Sequence, residues 1–184
     1  DPVHSNVMFR ANHLDIGYTF GEFLEYEGTL EYNKENPAES SFDLTIKTES
    51  VETHNKKRDK HLRGPDFLHA KKFGEMTFET TEVEKAEDGT FEVTGDLTIR
   101  DTTKPITIEV KELGQGKGPE GNFRLGFYTE FDIKRTEFGV DWNPDVVKEP
   151  LRIILALEFD EQREFITEFE RNRIDITDVQ RFCN

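Results

Sequence analysis

FRLGFYTEFDI, residues Phe123–Ile133, alternates apolar and polar residues along its whole length. Phe123, Leu125, Phe127, Thr129, Phe131 and Ile133 fall on one face, and Arg124, Tyr128, Glu130 and Asp132 on the other. A period of two is the signature of a strand buried on one side. The same period recurs on both sides of this stretch. LRIILALEF sets Leu151, Ile153, Leu155, Leu157 and Phe159 on one face, and ITIEV sets Ile106, Ile108 and Val110. FEVTGDLTIR adds Phe91, Val93, Gly95, Leu97 and Ile99. SFDLTIKT adds Phe42, Leu44 and Ile46, and HSNVMFRANHL adds Val7, Phe9 and Ala11.

About eight strands follow, over 3–14, 17–32, 41–49, 75–86, 90–100, 105–113, 122–134 and 148–160, which predicts an all-β antiparallel up-and-down barrel or a sandwich. The long strand 17–32 favours the barrel, because Gly21 and Gly28 inside it let a strand bend round a corner. Barrels of this size can hold one small ligand. Glu87-Asp88-Gly89 reads as a hairpin turn. Gly114–Gly121 reads as a mobile loop and not a phosphate cradle, since no Lys-Ser/Thr pair or helix follows it. Beyond Asp160, Phe165, Ile166 and Phe169 fall at helical spacing. The chain therefore divides into a barrel over 1–160 and a C-terminal extension over 161–184, read as a short amphipathic helix.

The 184 residues suit one domain, and 16 phenylalanines argue against disorder. With 24 basic against 39 acidic residues, the net charge of −15 lacks the basic footprint that nucleic acid requires and disfavours anionic membranes. No apolar run reaches the ~18 residues of a membrane helix. The lone cysteine, Cys183, allows no intrachain disulfide. The chain starts at Asp1, so a removed leader is expected.

RDKHLRGPDFLHAKK, Arg58–Lys72, crowds histidines and aspartates together. However, His54, His61 and His69 are seven and eight residues apart, wider than zinc pairs on one element, and His4 and His13 are remote. No G-x-S-x-G elbow occurs, and the abundant carboxylates make any chosen acid–base pair uninformative. The expectation is two short helices, the second opened by Pro65 after the break at Gly64, with Leu62, Phe67 and Leu68 as apolar anchors and the charges facing water. Such a segment would cap one end of the barrel as a lid.

Several motifs in order resemble the YceI-like polyisoprenoid-binding family across about residues 1–160. They are D-x-x-H-S-x-V-x-F at Asp1–Phe9, His13-Leu14, G-x-F at Gly21–Phe23, RDKHLRGPDFLHAKKFGEMTFET, GDLTIRDTTKPITIEV and KRTEFGV. Departures fall at Gly74, Asp101 and Lys134, which touch turns and the rim. The resemblance implies an eight-stranded lipocalin-like barrel with a tunnel-shaped apolar cavity, no catalytic activity, and a long isoprenoid or acyl lipid as ligand in place of any cofactor. It also implies a periplasmic or secreted protein, a cytoplasmic one being left open.

The inward set expected for such a cavity is Val7, Phe9, Phe20, Phe23, Phe42, Leu44, Ile46, Phe67, Phe78, Leu97, Ile99, Ile108, Phe127, Phe131 and Leu155. Each has a plainer reading as ordinary core packing. His13, Arg58, Asp59 and Arg135 match family positions and are the head-group candidates, with an Arg58–Asp59 network that merely holds the lid as the competing reading. Two other functions stay open at this point. One is an interaction module using the tail helix, with a homodimer among its outcomes. The other is a metal-dependent enzyme using His13 or the His54–His61–His69 group.

Overall fold

The computed structural model describes residues 1–86, 89–119 and 121–160. The strands are β1 (Asn6–His13), β2 (Gly17–Phe23), β3 (Tyr26–Glu31), β4 (Ser41–Lys47), β5 (Val51–Glu52), β6 (Glu75–Lys85), β7 (Phe91–Ile99), β8 (Thr102–Lys117), β9 (Phe123–Ile133) and β10 (Val147–Asp160). All ten join one sheet in the order β3-β4-β6-β7-β8-β9-β10-β1-β2-β5, and each pairing is antiparallel. β2 and β3 are separated by Leu24 and Glu25 alone, yet they stand near opposite ends of that order. The sheet therefore curls round on itself into a barrel-like form.

The count of ten differs from the expected eight for a local reason. The strand expected over 17–32 is two, because the chain turns at Leu24 and Glu25. The Leu24 N–H donates to Ser50 O (3.2 Å) while Glu25 O accepts from the Lys47 N–H (2.9 Å). The first half thus pairs with β1 and the second with β4. β5, a two-residue strand beside β2, supplies the other addition. The loop expected over 114–121 is also partly strand: β8 runs to Lys117, with Gly114 opposite Gly126 and Lys117 opposite Phe123.

Inward residues of the strands, with a few from the connecting segments, pack in two clusters. One gathers Val7, Leu44, Phe78, Phe91, Val93, Ile108, Leu125, Phe127 and Leu155 along the barrel. The other gathers Phe67, Met76, Ile99, Ile133, Phe138 and Val140 at one end. Each such side chain, fully buried, contributes about 1.5–3 kcal/mol.

The end that holds the second cluster is closed by α1 (Lys56–Leu62) and the turns that follow it. Asn55 caps α1, its side chain accepting from the Arg58 N–H at 3.1 Å. The second helix expected after Pro65 does not form. The chain folds back over Leu62–Gly64 instead: Gly64 O accepts from the N–H groups of Phe67 (3.1 Å) and His69 (2.8 Å), and Leu62 O from that of Leu68 (2.9 Å). His69 adopts φ 50°, which ends any helical run. The charges of this segment do not all face water either, since Asp59 is 1% exposed. The hairpin residues Glu87 and Asp88 and the expected tail helix over 161–184 lie outside the described residues.

Candidate functional site

Two apolar cavities lie end to end inside the sheet. The larger, about 160 Å³, sits under the lid and is walled by β1, β4, β6, β7, β9 and β10 together with Leu62, Phe67, Leu68 and Val140. The smaller, about 60 Å³, lies toward the other end, among Leu30, Tyr32, Val83, Phe91, Val93, Phe127 and Phe159. Phe42, Ile108 and Leu155 line both. These three side chains stand between the two cavities, as a waist between two lobes. Both volumes fall below the ~300–1,000 Å³ of ordinary small-molecule pockets, so the space suits one slim chain.

Of the inward set read from the sequence, Val7, Phe9, Phe23, Phe42, Leu44, Ile46, Phe67, Phe78, Leu97, Ile99, Ile108, Phe131 and Leu155 line the larger lobe, and Phe127 lines the smaller. Phe20 lines neither. It stands opposite Arg10 on the outer face and is 53% exposed, because the β2 residues facing the cavity are Gly21 and Phe23. Among the lining residues left out of the sequence-based set are Val93, Leu157 and Phe159, which the alternation already turns inward, and Val140, which sits in a loop where no periodicity points to it.

The head-group candidates separate. His13 is exposed at the end of β1. Arg58 lies on the outer side of the lid, and its Nε and Nη2 donate to Thr53 Oγ1 and Thr53 O, both at 2.7 Å. The Asp59 carboxylate accepts from the Thr53 N–H (2.9 Å) and hydroxyl, so both residues clamp Thr53. Neither lines a lobe. Arg135 does: it lines the larger lobe and is 4% exposed. It donates from Nη1 to Val140 O (2.5 Å) and from Nη2 to Val147 O (2.7 Å). Burial pushes its guanidinium below the usual arginine range, with Glu149 and Asp141 acting the other way.

The three clustered histidines do not converge on a centre. His54 is exposed. His61 meets Asp66 (2.8 Å) and stacks edge-on against Phe67 (5.0 Å) and Trp142 (4.9 Å). His69 packs against Phe73 (5.8 Å). Among the described residues the one grouping with metal-ligand spacing is Asp1, His4 and Glu158, into which Arg124 Nη1 already projects, 2.6 Å from Asp1 Oδ2. No described helix is long and apolar enough to cross a membrane.

At the smaller lobe the Tyr32 hydroxyl donates to Glu112 Oε2 (2.7 Å), and Lys34 Nζ reaches Glu112 Oε1 (3.2 Å). Burial first, then Glu112, raises the Tyr32 phenol well above its ordinary value.

The YceI-like domain model matches residues 1–159. The chain belongs to the YceI-like family. A UPF0312 protein of Yersinia pestis is 39% identical over 155 residues, 84% of this chain and 80% of that protein. Among solved structures, Burkholderia cenocepacia BcnA superposes with a TM-score of 0.80 at 23% identity, covering 86% of this chain and 98% of BcnA. A polyisoprenoid binding domain from Saccharophagus degradans superposes with a TM-score of 0.66 at 12% identity, covering 86% of this chain and 94% of that domain. At those identities the two superpositions bear on the fold.

Proposed function

We propose that this protein binds a single long-chain amphiphilic lipid, a polyisoprenoid, isoprenoid quinone or fatty-acid derivative, and carries or sequesters it without chemical change. The observation that carries the reading is the pair of apolar lobes joined at Phe42, Ile108 and Leu155. Burying a chain there is favourable by about 0.8 kcal/mol per methylene, so a modest length of chain offsets the cost of immobilising it. Membership of the YceI-like family supports the reading, as does the polyisoprenoid binding domain that shares the fold. A lipid carrier needs a cavity and an orienting group, and the curled ten-stranded antiparallel sheet supplies the first. The reading includes a periplasmic or secreted site of action, which fractionation of the native host tests.

Native mass spectrometry of freshly purified protein, followed by organic extraction, tests the function. A co-purified prenyl or acyl lipid is expected. Protein that emerges empty and takes up no prenyl or acyl chain overturns the proposal.

A further inference from the structure

The walls of the larger lobe are apolar apart from two residues, Thr77 and Arg135, and Arg135 is the one that carries a charge. Its two terminal nitrogens hold the carbonyls of Val140 and Val147, which ties the loop after β9 to the start of β10. That structural task leaves Nε over. Nε is buried and has no hydrogen-bond partner. Nor does any carboxylate among the described residues lie within ion-pair distance of the guanidinium; the nearby Glu149 Oε1 accepts from the Thr136 N–H instead (2.8 Å). A buried cation with an unused donor beside an apolar space is costly unless something answers it.

Several polar groups elsewhere along the cavity are already answered. Tyr32 at the far lobe is bonded to Glu112, and Ser40 Oγ to the Asn33 backbone. His13 and Arg58 stand outside the lobes, and Asp59 is committed to Thr53.

We propose that Arg135 anchors the head of the ligand: a compact oxygen acceptor, anionic by preference, lies at the lid end and the chain runs through the waist toward Tyr32. The inference rests on the lipid-binding reading above and adds a head-group chemistry and a polarity to it. An oxygen on the head takes the Nε donor, and a carboxylate or phosphate also compensates the buried charge, which a neutral carbonyl does only in part.

The test compares palmitic acid, methyl palmitate and hexadecane on delipidated wild-type protein at neutral pH, by displacement of a fluorescent lipid probe. The three share a chain, so its burial largely cancels. Palmitic acid is expected to bind at least ~10-fold more tightly than hexadecane, with the ester between them, as a charge-assisted hydrogen bond requires. A cavity without an anchor would give the opposite order, because a carboxylate left unanswered loses its hydration for nothing. Hexadecane binding as tightly as the acid overturns the inference and leaves lipid binding intact. Failure of all three to bind removes both. In folded Arg135→Met protein the acid should lose its advantage while hexadecane keeps its affinity, and Arg135→Lys should restore part of the preference. Loss of all three ligands together in the folded variant would mark Arg135 as purely structural and overturn the anchor. Should neither variant fold, the wild-type comparison decides.

Discussion

The ring of Phe78 lies over Gly95, where an added Cβ would come within 2.5 Å of Phe78 Cζ and 2.6 Å of Glu79 O. Gly95 stands in β7 opposite Ile106, and Phe78 stands on the neighbouring β6. The missing side chain makes room for an aromatic ring on the cavity wall, and Gly21 does the same for Phe9.

Gly95→Ala therefore forces the ring or the Glu79 carbonyl to move. A loss of about 1–3 kcal/mol is expected from overpacking, read as a lower urea midpoint. Gly116→Ala, where nothing lies within 4 Å, serves as the control and should change stability by less than about 0.5 kcal/mol.

Asp59 holds the lid through Thr53. Asp59→Ala leaves the buried Thr53 N–H without its acceptor, at a cost of about 1–3 kcal/mol. Hydrogen exchange should locate the loss, with faster exchange at Thr53 and along α1 and little change in β6–β9. Uniform acceleration across the sheet would show that the clamp is not local.

Phe42 and Phe20 have opposite roles although both are phenylalanines in alternating strands. Phe42→Trp narrows the waist, so the longest chain retained in a graded series of fatty acids should shorten. Phe20→Ala acts on the outer face and should leave the chain-length profile unchanged.

Alkaline pH should weaken the fold through Tyr32. Its phenol is raised in the folded protein, so above the ordinary tyrosine pKa of ~10 the unfolded chain releases a proton that the native state keeps. The unfolded state then binds fewer protons, and stability falls as pH rises. Tyr26 is raised by burial in the same direction. Urea midpoints should decline from about pH 9.5 upward, and Tyr32→Phe should flatten part of that decline.

Much of the wall of the cavity was legible in the chain. Period two is a local property: residues such as Leu97 and Ile99, or Phe127 and Phe131, show their inward face through their immediate neighbours alone. The misplacement of Phe20 has the same root. A strand carries two faces, and one aromatic among polar residues does not say which face it occupies until Phe9 and Gly21 fix the register. The kink at Leu24 and Glu25 was equally hidden, since it arises from bonds to Lys47 and Ser50 across the fold.

The amino-acid sequence by itself determined the all-β class, the inward rows of apolar side chains and the family to which they belong. Tertiary structure alone decided what the charged residues do. Arg58 and Arg135 look alike as letters, each in a matching motif with polar residues beside it. In the fold, Thr53 takes Nε and one Nη2 donor of Arg58 at the surface, whereas Arg135 sits 4% exposed in an apolar wall with Nε unanswered. Burial and hydrogen-bond partners depend on residues far apart in the chain, and short-range patterning does not contain them.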